Sequence, residues 1–141
     1  MSTIRRFALV YGILFVLAGI AGFIPALLAP HQHPDVAVTA WMGLLLGLFA
    51  VNVLHNAVHL IFGVWGLAAS GSEGAARVFA QSVAIIYAAL TVLGLFGMMN
   101  LHTLFGLVPL YGHDIWLHAV LAAVAAYFGF RQTFEQMRPA A

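Results

Sequence analysis

Cysteine is absent from this chain of 141 residues, and charged side chains are scarce. Without cysteine the protein can form no disulfide bond and can offer no thiolate as a nucleophile or metal ligand. Only 6% of its residues are Asp, Glu, Lys or Arg, whereas soluble domains carry about 25%. The net charge of +1 is too small to indicate a nucleic-acid partner. These absences exclude thiol chemistry and argue against an ordinary soluble domain.

Hydrophobic residues make up 64% of the chain, and the mean hydropathy is +1.04. This composition is typical of an integral membrane protein. A helix needs about 20 apolar residues to cross the hydrocarbon core of a bilayer, and four runs approach or reach that length. They cover residues 7–28, 53–69, 75–99 and 115–130, and the last run continues to about residue 133. We therefore predict one transmembrane domain, residues 1–141, with four spanning helices.

All five basic residues are arginines, and their positions predict an orientation. They are Arg5, Arg6, Arg77, Arg131 and Arg138. They fall before the first run, between the second and third runs, and after the fourth. Loops rich in Lys and Arg stay on the cytoplasmic side, so we expect both termini in the cytoplasm and the protein in a bacterial inner membrane. The first run is longer than the roughly 7–15 apolar residues of a signal peptide, which indicates an uncleaved anchor.

Two sequence patterns occur twice along the chain. The pattern Tyr-x-x-Leu-x-Val-Leu begins at Tyr11 and again at Tyr87. A tetrapeptide Leu-(Leu or Phe)-Gly-Leu begins at Leu45 and again at Leu104. Internal repeats are a common origin of membrane folds, so these matches indicate a duplicated unit.

The duplication predicts an all-α fold, an integral membrane four-helix bundle built from two tandem helical hairpins. Repeat 1 covers about residues 4–70 and repeat 2 about residues 74–133. Each hairpin crosses the membrane twice, so the copies form a parallel internal repeat related by an axis along the membrane normal. Pro109 would break a helix, so we expect short outer-leaflet segments before helices 2 and 4. The sequence leaves open whether residues 41–51 are such a segment or part of helix 2.

Polar side chains and glycines share one face of the second run. At 100° per residue, six residues fall within about 100° of arc: Asn52, His55, Asn56, His59, Gly63 and Gly66. The fourth run has Asp114, His118 and Gly129 on one face, and the first run adds Gly12 and Gly19. Polar groups in hydrocarbon need partners inside the protein, and small residues let helices approach closely. We expect a structural polar stripe formed by the asparagines, helix packing at the glycines, and histidines of the two repeats at matched depth.

Three functions fit these residues. The first is a structural or accessory subunit of a larger membrane assembly, or a homo-oligomer, whose partners are lipid and other membrane subunits or itself. The second is binding of haem or a chlorophyll-type pigment, with His59 and His118 as axial ligands. The third is a transition-metal site or proton relay, because imidazole suits zinc and copper. Its candidate residues are His55, His59, His118 and Asp114. An enzyme is disfavoured because the spans contain no carboxylate pair and no activated nucleophile.

Two motifs carry a resemblance to a known family. The first, N-x-x-H-N-x-x-H-L-x-x-G-x-x-G, begins at Asn52 and ends at Gly66. The second, G-L-x-P-L followed by D-x-x-L-H, begins at Gly106 and ends at His118. With these motifs the chain resembles, over nearly its whole length, the small four-span bacterial membrane family catalogued as domain of unknown function 4383. The resemblance implies a four-helix membrane fold, and it implies no activity.

Overall fold

The computed structural model describes the backbone of residues 1–136 and the side chains of residues 1–131. Within these limits the chain is mostly helical. Its long helices are α1 (Thr3–Ala21), α2 (Val53–Ala69), α3 (Glu73–Leu95) and α4 (His113–Gln136). Among the described residues, three helices are long and apolar enough to cross a membrane, and α2, with 17 residues, is apolar but shorter. Arg138, which contributes to the predicted orientation, lies outside the described residues.

The α1–α2 and α3–α4 connections lie at the same end of the molecule, which we call the loop end (residues 22–52 and 96–112). They contain two 3-10 helices and three strands: Pro25–Leu27, Met98–Thr103, β1 (Leu28–Ala29), β2 (Gly43–Leu45) and β3 (Phe49–Val51). The strands form an antiparallel sheet in the order β1-β2-β3, with Leu44 opposite Ala50. The expected all-α fold did not include this small sheet.

Helix α2 has the bounds that its apolar run predicts, residues 53–69. Asn52 caps its start, because the side-chain oxygen accepts a hydrogen bond from the His55 N–H at 3.0 Å. Asparagine is among the residues that most favour this position. Residues 41–51 are therefore a separate segment. They contain β2, β3 and a turn in which Gly47 has a φ of 72°.

Two of the predicted spans end earlier than their apolar runs. Helix α1 ends at Ala21 rather than at residue 28, because Pro25 lacks the N–H that a continuing helix needs. Helix α3 ends at Leu95 rather than at residue 99, and Met99 has a φ of 58°, which a right-handed helix does not allow. The apolar residues beyond each helix end belong to the loop end instead.

Helices α1 and α2 are antiparallel and approach closely at glycines. A Cβ atom on Gly12 would lie 2.9 Å from the carbonyl carbon of Gly66 and 3.0 Å from the carbonyl oxygen of Gly63. A Cβ atom on Gly19 would lie 2.7 Å from Cγ of Leu60. Such contacts are typical of helices that associate in lipid, where close backbone approach replaces a hydrophobic driving force.

Helices α3 and α4 form a second antiparallel pair. A Cβ atom on Gly129 would lie 3.0 Å from the Gln81 backbone nitrogen, and Nε2 of Gln81 donates to the Gly129 carbonyl oxygen at 3.1 Å.

At the end opposite the loop end, Nε of Arg5 donates to the Ser70 carbonyl oxygen at 2.7 Å. Aromatic side chains fill the core between the two pairs: Phe7, Tyr11, Phe15, Phe79 and Tyr87.

The outward surface of the helices is rich in large hydrophobic side chains. Exposed examples are Leu14, Leu17, Ile61, Val64, Ile85, Val92 and Val120. Soluble monomers rarely expose a continuous apolar surface of this kind. The apolar helices and their apolar exterior therefore suit a lipid bilayer.

Candidate functional site

Asn52 connects α2 to both segments of the loop end. Its side chain is fully buried. Besides capping α2, its Nδ2 atom donates to the Val38 carbonyl oxygen at 2.9 Å and to the Leu107 carbonyl oxygen at 2.8 Å. Both amide protons and the amide oxygen are therefore used. One side chain thus joins the connection after α1, the start of α2 and the connection after α3.

Asn56, one turn further along α2, also bonds to backbone. Its Nδ2 atom donates to the Gly22 carbonyl oxygen at 2.7 Å, at the end of α1. The two amide groups therefore satisfy main-chain carbonyls, which need partners inside a membrane protein. The histidines on the same face of α2 are left for other contacts.

His55, Asp114 and His118 converge in the interior, and we call them the buried triad. Their exposed fractions are 4%, 1% and 2%. One ligand atom from each residue lies within 4.8 Å of the ligand atoms of the other two. The His55 and His118 rings have centroids 6.2 Å apart. The fold thus brings together three of the four residues predicted for a metal site, one from α2 and two from α4.

The backbone of β3 orients two members of the buried triad. Nδ1 of His55 lies 3.1 Å from the Ala50 carbonyl oxygen. Because a carbonyl only accepts hydrogen bonds, Nδ1 carries the proton and Nε2 keeps its lone pair. The backbone N–H of Ala50 also interacts with the Asp114 carboxylate. Contacts of this kind commonly orient histidine and carboxylate ligands around metal ions.

Polar atoms of the buried triad lack hydrogen-bond partners. Oδ2 of Asp114 and Nδ1 of His118 are buried without a partner among the residues whose side chains are described. The Tyr87 ring meets His118 edge-on, with centroids 5.0 Å apart and planes at 88°. Unpaired polar groups are costly in an apolar interior, and ionisable groups inside membranes are usually functional. Oδ2 of Asp114 and Nδ1 of His118 are therefore the atoms of the buried triad that remain available to a proton or a cation.

His59, the fourth predicted ligand, lies beside the buried triad. Its ring is 4.6 Å from that of His55 and stacks on Phe15 at 5.8 Å with an interplanar angle of 11°. Its Nδ1 atom is buried without a described partner. His59 and His118 both line a cavity of about 70 Å³, far smaller than the roughly 300–1,000 Å³ of typical ligand pockets. The cavity that both predicted axial ligands line is therefore smaller than a typical ligand pocket.

A larger cavity of about 320 Å³ lies on another side of the buried triad. His55, His59 and Asp114 contribute to its wall, and the rest of the lining is apolar. Two of the apolar residues, Leu17 and Leu46, are exposed on the outer surface. The cavity therefore opens toward the surface that suits lipid.

A second group of candidate ligands lies at the loop end, and we call it the surface triad: His33, Asp35 and His102. One ligand atom from each again lies within 4.8 Å of the other two. Oδ2 of Asp35 is 3.9 Å from Nδ1 of His33 and 3.5 Å from Nε2 of His102. The sequence predicts His33 and His102 as outer-loop histidines that could pass metal inward, but it does not group them with Asp35, because His102 is distant in the chain from the other two. The His-x-Asp spacing at residues 33–35 was the available signal.

Tyr111 contacts the surface triad and lies close to Asp114 of the buried triad. Its ring stacks on His33 with centroids 4.4 Å apart, and its hydroxyl is 2.9 Å from Nε2 of His31. Burial, and to a lesser degree the Asp114 carboxylate, raises the pKa of Tyr111 to about 12. The two triads are thus connected through one aromatic side chain.

Comparison with known proteins gives a family and no characterised relative. No curated protein and no solved structure matches the chain. Residues 5–131 match the family model described as Domain of unknown function (DUF4383). The match includes both triads and most of every long helix, and it confirms the resemblance carried by the two sequence motifs. The chain therefore belongs to the family described as Domain of unknown function (DUF4383).

Proposed function

We propose that this protein is an integral membrane protein that binds a transition-metal ion through His55, Asp114 and His118. The observation that carries the proposal is the convergence of three buried ligand atoms within 4.8 Å of one another. Zinc holds nitrogen and oxygen ligands at about 2.0–2.2 Å in a tetrahedron, so its ligands lie roughly 3.4 Å apart. Small side-chain rotations would bring the buried triad to that spacing.

The charge of the buried triad supports a cation. Asp114 is 1% exposed, and its Oδ2 atom has no hydrogen-bond partner among the described side chains. A carboxylate in a low-dielectric interior is stable only when it is protonated or paired with positive charge. A shared proton would satisfy one histidine lone pair. A divalent cation would satisfy the carboxylate and both imidazoles together.

The ligand types favour zinc or a neighbouring late first-row metal ion. Imidazole nitrogen suits zinc, copper and nickel, whereas calcium and magnesium prefer oxygen ligands alone. His55 would bind through Nε2, because its Nδ1 donates to Ala50. A fourth position would be filled by His59 or by water from the adjoining cavity, since zinc sites are usually four-coordinate.

The proposed architecture is a four-span bundle of two like-oriented hairpins, with the site at the interface between them. On α2, His55 and His59 are four residues apart, and on α4, Asp114 and His118 have the same spacing. Each residue of the second pair follows its counterpart by 59 positions. Each repeat would therefore supply half of the polar centre.

Backbone conformation at the loop end supports the same repeat. Three pairs of residues 59 positions apart have positive φ: Trp41 and Asn100 (56° and 56°), Leu46 and Phe105 (53° and 59°), and Gly47 and Gly106 (72° and 87°). The Gly47 N–H donates to the Leu44 carbonyl, and the Gly106 N–H donates to the Thr103 carbonyl in the same way. Because non-glycine residues rarely adopt positive φ, the two non-glycine pairs at one spacing, with a glycine pair at the same spacing, favour duplication over chance.

The proposed orientation has both termini in the cytoplasm of a bacterial inner membrane and the loop end outside. Arg77 and Arg131 line one shared cavity, and Arg5 donates to the Ser70 carbonyl oxygen, so arginines from three parts of the chain gather at the end opposite the loop end. Positive charge of this kind marks the cytoplasmic side. The buried triad would then lie close to the outer surface.

The second candidate function is a structural or accessory subunit, acting within a larger assembly or as a homo-oligomer. The observation that favours it is the hydrogen bonding of the Asn52 and Asn56 Nδ2 atoms to backbone carbonyls, which stabilises the fold. Binding of haem or another pigment is less favoured, because the cavity bounded by His59 and His118 is only about 70 Å³.

The test uses the full chain purified in detergent and treated with a chelator. Co²⁺ is then added as a spectroscopic probe, and bound metal is measured by elemental analysis. We expect Co²⁺ to give the visible absorption of a four-coordinate site. Asp114→Asn and His118→Gln should weaken this binding at least about 100-fold, since even outer-shell changes around a metal cost 10–100-fold. The matched control is His113→Gln, which changes an exposed histidine next to Asp114.

Circular dichroism and size-exclusion chromatography would establish that each variant is folded. If folded Asp114→Asn gives the same four-coordinate Co²⁺ spectrum and affinity as His113→Gln, the proposal of a metal site at the buried triad is wrong. If in addition Asn52→Ala changes the size of the particle in detergent, the structural function gains support.

A further inference from the structure

The surface triad has the geometry of a second metal site. The Asp35 carboxylate lies between two imidazoles, 3.9 Å from Nδ1 of His33 and 3.5 Å from Nε2 of His102. The imidazole rings meet nearly at right angles, with centroids 5.4 Å apart and planes at 71°. Nδ1 of His102 is buried without a hydrogen-bond partner among the described residues. Like the buried triad, this group combines two imidazole side chains with one carboxyl group.

The surface triad is accessible from water, in contrast to the buried triad. The side chains of His33, Asp35 and His102 are 26%, 42% and 13% exposed. An ion could therefore bind there from solution and keep part of its water shell. Asp35 and the two histidines also belong to loop segments rather than to the spanning helices.

Backbone hydrogen bonds hold the two loop segments of the surface triad in register. The Ala37 N–H donates to the Gly106 carbonyl oxygen at 2.8 Å, which joins the segment of His33 to that of His102. The Leu110 N–H donates to the His102 carbonyl oxygen at 2.9 Å. Ligands held by a fixed backbone lose little conformational freedom on binding. The ligands of the surface triad are therefore preorganised before an ion binds.

Tyr111 connects the surface triad to the buried triad. Its ring is stacked on His33 at 4.4 Å and lies 6.0 Å from His102. Three residues later, at the start of α4, the chain supplies Asp114. An ion leaving the surface triad toward Tyr111 would thus approach the carboxylate of the buried triad.

We propose that His33, Asp35 and His102 form a solvent-accessible site that takes a divalent transition-metal ion from the solution at the loop end and supplies it to the buried triad. Binding at the surface does not depend on the proposed function, whereas the destination of the ion rests on it. Two imidazoles and a carboxylate favour zinc, copper or nickel over calcium and magnesium.

The experiment measures how many ions bind and how fast the buried triad fills. The full chain in detergent, stripped with a chelator, receives Zn²⁺ or Co²⁺, and bound metal is counted by elemental analysis. The variants are His102→Ala and Asp35→Asn for the surface triad and Asp114→Asn for the buried triad. His113→Gln again serves as the control, because it changes an exposed histidine that belongs to neither group.

We expect two bound ions in the wild type and in His113→Gln, and one in each of the other variants. With limiting Co²⁺, the spectrum of the buried site should appear at least tenfold more slowly in His102→Ala and Asp35→Asn, with the same final amplitude. An unchanged ion count in both surface variants overturns the proposal. An unchanged filling rate, despite a lost ion, overturns the supply step. If Asp114→Asn still binds two ions while His102→Ala binds one, the surface site stands and the proposed function fails.

Discussion

Substitution of Asn52 tests most directly which hydrogen bonds attach the loop end to the helices. Asn52→Ala removes the α2 cap and both donors to the Val38 and Leu107 carbonyls. Loss of an asparagine cap costs about 1 kcal/mol, and each buried carbonyl left without its donor costs about 1 kcal/mol or more. The free energy of unfolding should therefore fall by about 3 kcal/mol. Ser72→Ala removes only the exposed cap of α3 and should cost about 1 kcal/mol.

The assay is unfolding of the detergent-solubilised protein with increasing sodium dodecyl sulfate, followed by circular dichroism. A difference of about 2 kcal/mol between the two alanine variants corresponds to roughly 30-fold in the unfolding equilibrium constant. Asn52→Asp separates the two roles of the side chain, because a carboxylate still caps the helix but would face the Val38 and Leu107 carbonyl oxygens without a proton to donate. The reasoning is refuted if Asn52→Asp is as stable as the wild type, or if Asn52→Ala costs no more than Ser72→Ala.

Three further predictions concern packing, orientation and pH. Gly12→Ala should destabilise the protein by about 1–3 kcal/mol because its methyl group meets the α2 backbone. Gly74→Ala, whose added Cβ meets nothing within 4 Å, is the control and should be neutral or stabilise by up to about 1 kcal/mol. Equal losses of stability in the two variants, measured by the same unfolding assay, would contradict the close packing of α1 against α2. The chain has no cysteine, so a single introduced cysteine can report the orientation. A membrane-impermeant maleimide should label Thr39→Cys in intact cells but Ser72→Cys only after permeabilisation. The opposite labelling pattern would reverse the proposed orientation. Folding raises the pKa of Tyr111 from 10.0 to about 12, so its contribution to stability is complete below pH 10 and is lost as the pH rises toward 12. Above pH 10 the wild type should lose stability relative to Tyr111→Phe, and a difference that does not change with pH would disprove this contribution.

The sequence predicts helix positions best where a local signal marks the boundary. Asn52 is a strong helix cap, and α2 begins directly after it. Helix α3 stops at Leu95, two residues before Gly97, whereas its apolar run continues to residue 99, so the run by itself predicts too long a helix. Hydropathy reports burial or contact with lipid, and it does not distinguish a helix from an apolar loop that packs on a bundle. The small sheet was not predicted either, because hydropathy does not distinguish its apolar strands from a helix.

The candidate sites were predictable only where their residues share a helix face. His55 falls in a visible polar stripe, and Asp114 and His118 form a second one. Asp35 and His102 lie in unrelated loop segments, and only the backbone contact between those segments brings them together. The partners of Asn52 could not be predicted either, because they are main-chain carbonyls whose positions depend on the fold.

The small sheet explains how so apolar a chain can support a polar centre. Buried main-chain N–H and C=O groups need partners, and β3 is an edge strand with buried residues whose outer side has no neighbouring strand in the described sheet. Ala50 in β3 directs its carbonyl to His55 and its N–H to Asp114. The backbone groups that an edge strand would otherwise leave unpaired thus fix residues of α2 and α4, one from each proposed repeat. The same contacts that stabilise the loop end therefore also set the positions of the candidate metal ligands.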